Sequence, residues 1–207
     1  MHSLQLRNFW LVIAVCLGLT GCAASTKVVN QWVSPDYVSP RFKKIMVIGV
    51  SKQPSIRRTF EDEFVGQLKA AGVDAVPSYI YIPEDGQVDE GRLQAAVKQA
   101  GADAVIVTRL VRVEKKTQVT PGYYQPPPAG FGFYGGYSAA WLGYYEPPRV
   151  YQYDVYISET SLYDTARNQL VWAGTVETTG PGDVNKEIER YVATVIDALK
   201  GKNILRA

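Results

Sequence analysis

Histidine and cysteine are almost missing from this chain. One histidine, His2, and two cysteines, Cys16 and Cys22, occur among 207 residues, all within the first 22. From residue 23 onward there is no imidazole and no thiol. That stretch cannot assemble a Ser-His-Asp triad, a Cys-His dyad, a disulfide or a zinc site of the usual ligand types. Paired carboxylates could still serve a glycosidase, but nothing in the spacing of the 20 acidic residues singles out a pair, and no enzyme is expected. Glycine-rich phosphate loops are missing too. The turn Gly49-Val50-Ser51-Lys52-Gln53-Pro54 fits neither G-x-G-x-x-G nor a P-loop, so no nucleotide or other cofactor is expected. Nor is there an excess of charge: the formal net charge is +2, and losing Arg7 would lower it to +1. Such a balance argues against a nucleic-acid partner.

Long hydrophobic runs are also lacking. The apolar stretch at residues 9–19 falls well short of the roughly 17–25 residues that a membrane-spanning helix needs. With Arg7 before it and small residues after it, it has the layout of a secretory signal. Leu19-Thr20-Gly21-Cys22 then resembles the lipobox of bacterial lipoproteins. That resemblance implies a diacylglyceryl thioether on Cys22 and an acylated, palmitate-type N-terminus after cleavage. Each buried CH₂ of an acyl chain contributes roughly 0.8 kcal/mol, and two chains already anchor stably. Ala23-Ala24 carries no Asp after the cysteine, which by the same resemblance implies the outer membrane, facing the periplasm. The expected organisation is a signal peptide at 1–21, a lipid anchor and tether at 22–40, and an α/β domain at 41–207.

Within that domain the pattern alternates. Residues 28–33 suggest a short extended piece in the tether. Residues 44–50 form a continuous apolar run, as in a strand buried on both faces. Ile56, Phe60, Phe64, Leu68 and Ala71 recur at helical spacing, with Ser55 placed to cap the start and Gly72 the end. Residues 73–79 read as a strand that Pro77 pushes to a sheet edge. Leu93, Ala96, Val97 and Ala100 mark a second helix closed by Gly101. From Ala104 the period becomes two: Val105, Val107, Val111 and Val113 fall on one face together with Arg109, which is expected to pair with a carboxylate. Tyr151, Tyr153, Val155 and Ile157 mark another strand, and Leu170, Trp172 and Val176 a third. A final helix carries Val184, Ile188, Tyr191, Val192, Val195, Ile196 and Leu199 behind Asp183 as N-cap. The order β-α-β-α-β-β-β-α predicts an α/β (α+β) domain with a mixed parallel and antiparallel sheet and helices packed on it.

Residues 120–148 stand apart. Tyr123, Tyr124, Phe131, Phe133, Tyr134, Tyr137, Trp141, Tyr144 and Tyr145 are interleaved with glycines and with Pro126, Pro127 and Pro128, a mix that precludes a regular element through most of the segment. Three readings are open. It is a hairpin extension covering the domain's own surface, a contact surface for an envelope protein or peptidoglycan, or a segment dipping into the lipid interface, where Tyr and Trp are at home. Arg57 and Arg58 lie near a helix N-terminus, against the macrodipole. They read as surface pairs with Glu61 and Asp62, or as an anion site for a lipid phosphate or cell-wall carboxylate. Lys115-Lys116 reads as a solvated strand end.

Several short segments suggest a family: Arg57-Arg58-Thr59-Phe60-Glu61-Asp62, Ser78-Tyr79, Ala102-Asp103-Ala104-Val105, Thr108-Arg109-Leu110-Val111, Glu159-Thr160-Ser161-Leu162-Tyr163-Asp164 and Leu170-Val171-Trp172. With the lipobox and the Tyr/Gly-rich insertion they resemble a widespread group of uncharacterised proteobacterial envelope lipoproteins, named only as a domain of unknown function. The element order resembles, more remotely, the periplasmic α/β domains of penicillin-binding-protein activator lipoproteins and of the curli secretion channel lipoprotein. The resemblance implies a location and a fold, and no site residues. The expectation is a lipid-anchored outer-membrane lipoprotein acting as a non-catalytic interaction module of the cell envelope. The alternatives are a carboxylate-dependent cell-wall glycan enzyme and a ring-forming export component.

Overall fold

The computed structural model of the protein describes residues 25–37, 42–83, 86–125, 144–180 and 182–205. Along them run β1 (Ser25–Val33), β2 (Lys44–Val50), α1 (Pro54–Ala70), β3 (Asp74–Pro77), a 3₁₀ turn (Ser78–Ile80), α2 (Glu90–Ala100), β4 (Ala104–Thr120), β5 (Tyr123–Gln125), β6 (Tyr144–Glu146), β7 (Arg149–Asp164), β8 (Gln169–Thr179) and α3 (Val184–Gly201). Six strands form one sheet in the order β1-β8-β7-β4-β2-β3, and β5 pairs with β6 apart from it. β2 is parallel to both β3 and β4, while β4-β7, β7-β8 and β8-β1 are antiparallel. The fold is the mixed α/β architecture that the alternating pattern predicts.

Burial explains the layering. Ile45, Met46 and Val47 of β2 are wholly out of water, because helices cover both faces of that strand. On one face α1 and α3 bring Phe64, Leu68, Val192, Val195 and Leu199 against Ile45, Val47, Ile106, Leu162 and Trp172. On the other, α2 lays Ala96 and Ala100 against Met46 and Val105. β3 is an edge strand, as Pro77 requires, but it is shorter than the pattern suggests, since the chain turns into a 3₁₀ helix at Ser78.

The helix ends follow the sequence with one exception. Gly72 and Gly101 take the left-handed conformation after α1 and α2, at φ +81 and +64. Asp183 accepts from the amides of Asn185 and Lys186. Asp89 caps α2 in the same way through Arg92. Ser55, however, is not a cap. Pro54 occupies the start of α1 behind Gln53, where its missing N–H costs nothing and its fixed φ already suits the helix.

Three other expectations need correction. Residues 25–33 are not part of a tether: β1 pairs along β8 from Ser25↔Thr179 to Val33↔Trp172 and covers an edge that β8 would otherwise expose. The valines of β4 do not share one face. A bulge between Leu110 and Arg112 puts an extra residue into the strand and reverses the alternation, so Val113 lies opposite Tyr156 on the α1/α3 side, away from Val105 and Val107. Finally, Lys115-Lys116 is no strand end. β4 continues to Thr120, and the flanks of the aromatic insertion pair again as β5 and β6.

Candidate functional site

The parallel strands create an opening. From β2 the chain crosses to β3 on one side through α1, then returns past β2 to β4 on the other side through α2. Connections leaving two neighbouring parallel strands in opposite directions open a crevice at the strands' carboxyl ends, the usual ligand position in such sheets. A cavity of about 410 Å³ lies there. Gly49, Val50 and Ser51 at the end of β2 line it, as do Thr108 and Leu110 of β4 and Tyr156 and Ser158 of β7. Phe60 of α1 and Val184, Ile188 and Tyr191 of α3 close its sides, and the Phe60 and Tyr191 rings meet at 5.9 Å between centroids.

Two buried polar systems shape these walls. In the first, Thr108 Oγ1 and Thr160 Oγ1 are 2.7 Å apart, and Thr160 Oγ1 is 2.8 Å from Tyr191 Oη. The three hydroxyls tie β4, β7 and α3 together. Burial pushes the Tyr191 phenol up to about 12, so at neutral pH it is a hydrogen-bonding group and not a base.

The second system centres on Glu61, which is completely buried. Its Oε1 accepts from Arg57 Nε at 3.0 Å, from the Gly49 amide at 3.0 Å and from Ser78 Oγ at 2.8 Å, while Oε2 accepts from the Tyr79 amide at 3.0 Å. Arg57 Nη2 donates onward to Ser78 Oγ at 2.9 Å and to the Ile82 carbonyl at 3.0 Å. The close approach of α1 explains Gly49: a Cβ there would stand 3.1 Å from Phe60 Cδ1. At the mouth of the cavity, Glu187 Oε1 accepts from the Gly182 amide at 3.2 Å and from Arg190. Glu187 Oε2 is buried without a partner among the described residues.

Of the described site residues singled out in the sequence, only Arg57 lines the cavity. Arg57 and Arg58 are not brought together. Arg57 turns inward, so its pair with Glu61 is a buried one and not a surface pair. Arg58 points outward over the Tyr79 ring, 5.7 Å from its centroid. The Tyr79 hydroxyl donates to Asp62 at 2.6 Å, which pushes its pKa above the ordinary tyrosine value. Arg109 pairs across the strands with Glu159 at 2.7 Å on an exposed part of the sheet. Tyr123 is exposed on β5, and Tyr124, Tyr144 and Tyr145 belong to the β5–β6 pairing. Cys22, Phe131, Phe133, Tyr134, Tyr137 and Trp141 lie outside the described residues.

The sequence marks Tyr191 only as a position of the last helix and Thr108 and Thr160 only within family-like segments, although a signal for the hydroxyl cluster exists. Thr108 continues the inward series Ala104, Ile106, and Thr160 continues Leu162, so each places a hydroxyl where the alternation calls for an apolar side chain. Among the described residues no group of three or more His, Cys, Asp and Glu could hold a metal ion, and no helix is long and apolar enough to cross a membrane.

Residues 83–201, more than half of the chain, match the model of a family described as a domain of unknown function, DUF4136. No curated protein matches the chain. Among solved structures, the PelC dodecamer from Paraburkholderia phytofirmans is similar at 15% identity over 86% of this chain and 97% of that one, with a TM-score of 0.45. The lipoprotein GNA1162 from Neisseria meningitidis is similar at 12% identity over 78% of this chain and 99% of that one, with a TM-score of 0.41.

Proposed function

The chain belongs to the DUF4136 family, a domain of unknown function, and from that premise we propose that it is a lipid-anchored lipoprotein of the outer membrane, facing the periplasm, whose domain is a non-catalytic interaction module. The lipobox at Leu19-Thr20-Gly21-Cys22 supports the anchor, and the residues after Cys22 support the outer membrane. The observation that carries the interaction role is the cavity between β2, β4, α1 and α3. It is roomy, at about 410 Å³, and largely apolar, the usual character of a small-ligand or side-chain pocket. Two of its buried polar systems are internally bonded: the Thr108, Thr160 and Tyr191 hydroxyls, with Tyr191 held neutral, and Glu61, neutralised by Arg57. They shape the pocket wall and are engaged in these bonds.

The test has two parts. Labelled palmitate should enter the intact chain and not the Cys22→Ala variant. A photo-crosslinking residue at Leu110, inside the cavity, should yield a defined adduct in the cell envelope. The same residue at Arg167, at the opposite end of the sheet, should not. Ser158→Phe, which fills the cavity, should abolish the Leu110 adduct while the protein remains folded. A lipidated, folded protein that gives no adduct from Leu110 would remove the interaction role.

A further inference from the structure

The N-terminal strand, the cavity and the longest strands share one end of the sheet. Ser25 pairs with Thr179, and Thr179 with Val155, so β1, β8 and β7 are level there. Beyond that level, among the described residues, only β4 and β7 continue as a two-stranded ribbon, paired from Lys115↔Asp154 to Thr120↔Arg149. At about 3.3 Å per residue, that stretch projects roughly 20 Å past the end of β1, before β5 and β6 pair in turn.

The tether at the same end is shorter. Only Ala23 and Ala24 separate Cys22 from Ser25, a span of about 10 Å at full extension. With the strands upright, a lipid on Cys22 holds the end of β1 closer to the headgroups than the ribbon is long. The ribbon's outer part then overlaps the headgroup layer.

The side chains change along the ribbon to match. Its base carries Lys115, Lys116 and Asp154, with Lys116 paired to Glu177 and, just before it on β4, Arg112 to Glu114. Its outer part exposes Val119 (58%), Val150 (63%) and Tyr151 (49%) and ends on Arg149, paired with Glu146, with the exposed Tyr123 following on β5. Val119 and Val150 are direct cross-strand partners. Exposed apolar side chains with tyrosines beyond a charged base are the composition that settles at a bilayer interface.

From the tether length and this gradient together, we infer that the outer part of the β4–β7 ribbon is a lipid-contact surface, seated in the headgroup layer of the membrane that holds Cys22. The inference rests on the proposed lipidation of Cys22. It gives the domain a fixed stance: ribbon down, with the cavity mouth on the membrane side.

The test uses the full, processed chain reconstituted in vesicles of phosphatidylethanolamine and phosphatidylglycerol. Val119→Cys and, separately, Val150→Cys carry an environment-sensitive fluorophore, with Arg167→Cys as the reference at the far end. Blue-shifted, brightened emission at 119 and 150, quenched by spin-labelled lipid and absent at 167, is the expected result. Emission at 119 and 150 indistinguishable from that at 167, in protein that has taken up palmitate, overturns the inference. So does a shift that occurs only when envelope proteins are added, which would assign the surface to a protein partner. Failure of palmitate uptake, read separately, overturns the anchor reading instead.

Discussion

Arg57 and Glu61 meet one helical turn apart inside the protein, Nε to Oε1 at 3.0 Å, with 6% and 0% of their side chains in water. The pair is shared among elements: Glu61 holds the end of β2 through the Gly49 amide and the turn after β3 through Ser78 and Tyr79. α1 is thereby locked against the strand that opens the cavity.

Removing one partner leaves a buried charge uncompensated, which typically costs about 3–5 kcal/mol. Glu61→Ala is expected to lose stability in that range. Glu61→Gln, which keeps an acceptor for the Gly49 amide, should lose less. Urea unfolding of the domain, followed by circular dichroism, gives both values. Equal losses for the two variants would mean that the missing charge accounts for the whole cost and the retained acceptor contributes nothing.

Tyr191 links stability to alkaline pH. Its phenol ionises near 10 when unfolded and at about 12 when folded, so the folded protein retains this proton longer. The resulting stability is complete below pH 10 and disappears as pH rises through 12, a loss of roughly 2–3 kcal/mol. Tyr191→Phe should flatten stability across that window. At neutral pH it should cost about 1 kcal/mol for the lost hydrogen bond to Thr160. Urea unfolding at pH 7 and at successive alkaline values measures both effects.

Gly174 has no room for a side chain. A Cβ there would fall 2.2 Å from Cη2 of Trp172, whose ring is completely buried and lies across the glycine. Gly174→Ala must push the indole off its seat, and overpacking of this kind costs about 1–3 kcal/mol or more. A lower melting temperature with a shifted tryptophan emission spectrum is expected. An unchanged melting temperature would show that the ring moves freely.

Lys27, Glu177 and Lys116 form an exposed ion-pair row over β7, at 3.7 and 3.2 Å. The hydrogen bond from Lys116 to Glu177 raises the lysine pKa. Solvent-exposed pairs are screened and contribute little. Glu177→Gln should barely move the unfolding midpoint in dilute salt and not at all in concentrated salt.

The main strands and helices from Lys44 to Leu199 were legible because β2 is a continuous apolar run and the others carry their period on a buried face. The 3₁₀ turn and the short β5–β6 pair were not, and neither was β1. Lys27, Asn30 and Gln31 interrupt its valines, and an edge strand buries too little to suppress such polar residues. The bulge in β4 left no trace either, since Val111 and Val113 prolong the valine alternation that the bulge reverses. Arg57 and Glu61 read as a surface pair because an i,i+4 spacing looks the same inside and out. Their remaining partners, Gly49, Ser78 and Ile82, lie on other elements. The cavity draws its walls from β2, β4, β7, α1 and α3, and only Thr108 and Thr160 hinted at it.

Because β1 lies along β8 over its whole length, the N-terminus of the fold is not a loose end. Tension applied at Ser25 along the strand loads the β1–β8 hydrogen bonds together, in shear, instead of peeling them one after another. From β8 the load passes to β7 and β4, at the centre of the sheet. The domain therefore responds to a pull as a stiff plate gripped along one margin, and the ribbon that extends from its central strands moves with the point of attachment.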